Sequence, residues 1–101
     1  MRYDALVEQV KASVFGPEAK TAPALRSAVA DQRLAEVPLN LRDYVAKVAK
    51  HAYKVTDEDV EALKQTGYTE DDIYEITAAA ALGAALLRLE RGRQVLEESA
   101  R

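Results

Sequence analysis

The stretch from Thr56 to Arg93 constrains this chain most. It reads as a short helix, a glycine stop, and a long helix whose middle is almost free of polar side chains. Thr56 precedes Asp57-Glu58-Asp59, and Thr69 precedes Glu70-Asp71-Asp72. A hydroxyl at a helix cap accepts from a free backbone N–H, and carboxylates in the first turn favour the positive end of the helix dipole. The third residue after each threonine is Asp, a short-armed form of the reciprocal capping box. Gly67 falls where the first helix must stop, and glycine accepts the left-handed conformation that ends many helices. Arg88, Arg91 and Arg93 gather toward the far end of the long helix, where the dipole favours cations.

From Ile76 to Leu87 only Thr77 is polar, so the long helix lacks a clear solvent face. A helix apolar all round is buried on every side, more than a small domain can supply by itself. Ala79, Ala80, Gly83 and Ala84 also permit close backbone approach. The expectation is that one face packs within the domain and another against a second subunit, giving a homo-oligomer through the helix over 73–93.

The preceding residues add three more helices. Over 39–55, Leu41, Val45, Val48, Ala52 and Val55 share one stripe, with Lys47, Lys50 and Lys54 on the far, solvated side. Thr21 and Pro23 suit a helix start, and Ala24, Leu25, Ala28 and Val29 give it a face, so a helix is expected over 22–31 and a connection over 32–37. Over 2–15, Tyr3, Leu6, Val7, Val10 and Val14 recur at helical spacing until Gly16-Pro17 breaks the pattern. That stripe has a place either on the domain or on a neighbouring subunit. No segment alternates like a strand. The fold class is all-α, about five helices in a single domain over 1–101.

Alanine-rich helices bury little area each, so a chain of 101 residues with 6% aromatics has a thin core, which again points to association. A net charge of -3 argues against nucleic-acid or anionic-membrane binding. The absence of cysteine removes disulfides, thiolate metal sites and thiol redox chemistry. No secretory leader is apparent after Met1, and the run from Ala78 to Leu87 is too short to span a bilayer, so a cytoplasmic protein is expected.

His51 is the one histidine, and its reference pKa suits a general acid or base. Tyr44 lies two turns earlier on the same border of the amphipathic stripe, so the two could orient and polarise a small carbonyl or carboxylate compound. Lys47 and Lys54 would clamp its negative charge. The structural alternative is a helix histidine flanking the core, with lysines that merely face solvent. Asp57, Glu58, Asp59 and Glu61 lack the spacing of a calcium loop, and helix-start electrostatics accounts for them. No metal or cofactor site is expected, and whether the chain is an enzyme stays open.

Over residues 38–96 the order of features resembles the carboxymuconolactone decarboxylase and alkylhydroperoxidase D-like superfamily. The resemblance rests on LRDYVAKVAKHA followed by ALKQTGYTEDDIYEITAAAALGAALLRLE. It implies an all-α helical domain that assembles as a homo-oligomer through its alanine-rich helix. The family's peroxidase branch carries two cysteines and a histidine a fixed distance before the glycine. Here those positions hold Ala52, Val55 and Asp59. A thiolate must attack the peroxide and a second thiol must resolve the sulfenic acid, so thiol peroxidase activity is not expected. The resemblance leaves non-redox small-molecule binding, or decarboxylase- or lactone-type chemistry, as one reading. A non-catalytic oligomerisation or accessory-subunit module is the other.

Overall fold

Four α-helices and two single turns of 3-10 helix make up residues 20–99, the part of the chain that the computed structural model describes. The helices are α1 (Pro23–Ala30), α2 (Leu39–His51), α3 (Asp57–Gln65) and α4 (Glu70–Ser99). The helix expected over 2–15 lies outside the described residues. No strand occurs among those described, and none of their helices is long and apolar enough to cross a membrane.

The two threonine caps form as their sequence requires. Thr56 Oγ1 accepts from the Asp59 amide at 3.2 Å while the Asp59 carboxylate accepts from the Thr56 amide at 2.9 Å. Thr69 and Asp72 repeat the exchange, both bonds at 3.0 Å. Between them Gly67, at φ 105, closes α3. Its amide donates to the Lys64 carbonyl and the Tyr68 amide to the Leu63 carbonyl, satisfying two of the carbonyls that a helix end leaves free. The same pair of bonds ends α1, from Gln32 to Val29 and from Arg33 to Ala28. There the left-handed residue is Gln32, at φ 57, a conformation that costs a side-chain-bearing residue roughly 1–2 kcal/mol.

Pro23 occupies the first turn of α1, where its missing N–H costs nothing. Thr21 does not cap that helix; its hydroxyl donates to Glu75 instead. Helix α2 ends at His51, earlier than the hydrophobic stripe suggested. Ala52–Lys54 form a 3-10 turn, and Val55 still packs on the core from extended backbone, which is why the stripe appeared continuous.

The core is the junction of α1, α2 and α4. Val29, Leu41, Val45, Ile76, Ala79 and Ala80 are fully buried there, with Leu63 of α3 closing one end. Gly83 is the point of closest approach between α1 and α4. A β-carbon built on it would lie 2.5 Å from Ala30 Cα and 2.6 Å from the Ala30 carbonyl carbon. The small residues expected to admit a neighbouring backbone therefore admit α1 of the same chain.

Helix α4 outlasts its neighbours. Buried positions run from Ile73 to Ala84, whereas every residue from Leu87 to Ser99 is exposed. Because the helix continues to Ser99, the arginines do not sit in its last turn. Arg88 Nη2 donates to the Ala49 carbonyl at 2.8 Å, serving the C-terminal end of α2, and Arg93 bridges Glu90 and Glu97 within α4.

Candidate functional site

Of the four residues named from sequence, Tyr44 and Lys47 each have a partner of their own, and His51 and Lys54 share one. Tyr44 is buried, and its hydroxyl lies 2.6 Å from Thr77 Oγ1. The Thr77 hydroxyl also lies 2.6 Å from the Ile73 carbonyl, to which it donates, so the Tyr44 hydroxyl is the donor in the pair they share. Lys47 is half-buried and forms an ion pair with Asp59 at 2.9 Å. Lys54 is exposed, 5.9 Å from the centre of the Tyr53 ring. His51 is exposed at the end of α2, its ring edge-on to Tyr53 at 5.9 Å. Tyr53 is thus the residue to which His51 and Lys54 both turn, whereas Tyr44 looks into the α2–α4 junction. Tyr44→Phe should cost about 1 kcal/mol in denaturant unfolding, the usual worth of one neutral hydrogen bond.

Of the acidic residues beside this border, Asp59 is engaged in structural contacts. Asp59 accepts from Lys47 as well as from the Thr56 amide, and these contacts hold its carboxyl below the ordinary range. Among the described residues no group of three or more His, Asp or Glu side chains is placed to hold a metal ion.

A polar cluster that sequence reasoning missed lies between the chain before α1 and the start of α4. Arg26 is 0% exposed, and its Nη1 donates to the Thr21 carbonyl and, at 3.1 Å, to the Thr21 hydroxyl. Glu75 accepts from the Lys20 amide at 2.9 Å and from the Thr21 amide and hydroxyl, both at 2.7 Å. Desolvation alone would raise the Glu75 pKa, but those donors and the charge of Arg26 outweigh it and lower it. Lys20 adds an exposed ion pair to Asp71 at 2.6 Å. The only sequence signal was the position of Arg26, three residues before Val29 and so on the buried side of α1. With Nη1 held by two oxygens of Thr21, this cluster fastens the entry of α1 to α4.

An exposed apolar stripe lies on α4, on the side away from α1 and α2. At about 100° per residue, Tyr74, Ala78, Ala81, Leu82, Ala85, Leu89, Gly92 and Leu96 form one outer stripe, opposite buried Ile76 and Ala80. Ala78 and Leu82 are half-buried and the rest exposed, with Tyr74 at 74% and Leu96 at 72%. Toward the C-terminus the stripe borders a groove of about 640 Å³, lined by residues that include Arg88, Leu89, Gly92, Val95 and Leu96. The absence of a solvent face in the sequence thus resolves into one buried face and one exposed apolar face on the same helix.

No family model, no curated protein and no solved structure matches this chain.

Proposed function

We propose that this chain is a non-catalytic helical association module that pairs with a second copy of itself through the outer face of α4. The observation that carries this reading is the uninterrupted apolar stripe from Tyr74 to Ala85 on the side facing away from the domain's own core. Exposed contiguous apolar surface of this kind marks interaction sites on small proteins. Ala78, Ala81 and Ala85 let a neighbouring helix approach closely, while Tyr74 and Leu82 supply apolar area. A cytoplasmic location is a further part of the proposal.

The alternative reading, non-redox small-molecule chemistry beside His51 in a protein resembling the carboxymuconolactone decarboxylase superfamily, needs Tyr44, Lys47 and Lys54 to turn toward one ligand. Tyr44 is committed to Thr77 and Lys47 to Asp59, so the association reading takes precedence.

Sedimentation equilibrium on the full chain tests the proposal. The expected result is a concentration-dependent dimer or higher oligomer at micromolar concentration. Ala81→Glu should weaken association at least tenfold, or about 1.4 kcal/mol, by placing a charge in the stripe. Because Ala81 is exposed, the same variant should unfold at nearly the wild-type denaturant midpoint. A wild-type monomer at those concentrations rejects the reading.

A further inference from the structure

Two seven-residue repeats interleave along the outer stripe of α4. Leu82, Leu89 and Leu96 form one, and Ala78, Ala85 and Gly92 form the other. Together they follow in steps of four and three, the spacing of a seam that pairs with a second helix. Near Gly92 nothing stands within 4 Å of where a β-carbon would be, so the groove there is open to a side chain from outside.

We infer that α4 of a second copy lies antiparallel on this seam over 78–96. Ala78 meets Leu96, Leu82 meets Gly92, and Ala85 meets Leu89 of the second copy. The inference rests on the self-association proposed above and fixes its direction and register.

The pattern is self-complementary in this arrangement. Reversed about the level of Leu87, each of the three leucines falls on a small residue and each small residue on a leucine. Every layer then fills a similar volume, and the two helices keep one spacing along about 28 Å of seam. A parallel pair stacks leucine on leucine and Gly92 on Gly92, which leaves voids at the small layers. Sliding the antiparallel pair by one heptad sets Leu96 against Asp71 and Gly92 against Glu75 in one direction. In the other it sets Leu82 against the hydroxyl of Ser99.

Charge on the flanks also favours reversal. A parallel pair sets Arg88 against Arg93 of the second copy on both sides of the seam. The antiparallel pair keeps the two Arg93 residues about 18 Å apart along the axis. It brings only the two Arg88 residues together, and each has its Nη2 on the Ala49 carbonyl of its own chain. Ala81 comes beside Val95 of the second copy.

Support for the projecting end of α4 gives the same direction. Buried positions stop at Ala84, and a helix standing alone is marginal below about 12–15 residues. Antiparallel pairing lays Leu89, Gly92 and Leu96 of each copy on Ala85, Leu82 and Ala78 of the other. Those three lie on or next to the stretch of α4 whose inner face is packed in its own core. Each domain thereby holds the bare half of the other's long helix.

The absence of cysteine makes the test clean. Leu82→Cys and Gly92→Cys are combined in the full chain, oxidised at micromolar concentration, and read on a non-reducing gel. The expected product is a disulfide-linked dimer in most chains. Each single variant should stay at monomer size, because its two copies are about 15 Å apart along the axis, too far for a disulfide. The same 15 Å within one helix prevents an internal bridge. In sedimentation Gly92→Leu should weaken association about tenfold by overfilling its layer, and adding Leu82→Ala should restore most of it. Dimers of either single variant, or Gly92→Leu associating like wild type, overturn the inference. So does an unlinked 82/92 variant when wild type sediments as a dimer, and the association reading then stands. A wild-type monomer, with this face bare or covered within the chain, overturns both.

Discussion

Gly83→Ala is expected to destabilise the fold by about 3 kcal/mol, even though alanine is the better helix former by roughly 1 kcal/mol. The added methyl would meet the backbone of Ala30, not the tip of a side chain that could rotate away. The only relief is to push α1 off α4, which loosens Val29 and Ala28 from Ile76, Ala79 and Ala80. In a domain whose total stability is about 5–15 kcal/mol, a loss of this size is a large fraction. Chemical denaturation monitored by circular dichroism gives the number. A wild-type midpoint for Gly83→Ala would mean that the α1–α4 contact is not formed as described.

Arg26→Ala should cost a comparable amount, about 3–5 kcal/mol, because it removes the cation from a buried cluster and leaves its acceptors in place. Arg26→Lys should recover only part of the loss, since an ammonium does not reproduce the planar guanidinium whose Nη1 donates to both Thr21 oxygens. Acid unfolding gives a second readout. The folded-state pKa of Glu75 is lowered, so its contribution is fully present above its unfolded value, about 4.3, and is lost as pH falls through the lower folded value. Without Arg26 the folded pKa of Glu75 rises toward its unfolded value, so less stability is lost on acidification and the loss ends at higher pH. Urea midpoints of wild type and Arg26→Ala between pH 7 and pH 3 would show the two curves converging as pH falls. Parallel curves would remove Arg26 from the environment of Glu75.

The parts of this fold that could be read from sequence are those set by local chemistry. Thr56 with Asp59, Thr69 with Asp72, and Gly67 each act within four residues, and each does what its side chain, or lack of one, dictates. The amphipathic stripe of α2 was equally plain because Leu41, Val45 and Val48 alternate with solvated residues. Where tertiary contacts decide, the sequence alone gave no purchase. The position of Arg26 hints only that it faces inward, and Glu75, whose charge it stands near, lies 49 positions further along the chain. Arg88 looked like a dipole residue of its own helix, yet it serves the last turns of α2. Gln32 at a left-handed helix end gave no signal, since that position ordinarily falls to glycine.

The border residues show the same limit from the functional side. Tyr44 and His51 share a helix edge by spacing, but seven residues apart on one helix they are about 10 Å from each other along the axis. The neighbours decide what each one does. Thr77 takes the Tyr44 hydroxyl, and Tyr53 stands beside His51. The outer stripe of α4 was legible as an excess of apolar residues, but which of its faces is buried depends on where α1 and α2 pack.

The seat that Gly83 provides for Ala30 also sets an order of events on the ribosome. Helix α1 is synthesised more than fifty residues before the glycine that receives it. Until Ala84 has been translated and cleared the exit tunnel, α1 has no complete surface to lie on. The capped pair of α2 and α3 can form its turns as it emerges, but the first described helix of the chain must wait for the last. Closure of the core therefore waits until Gly83 can meet Ala30.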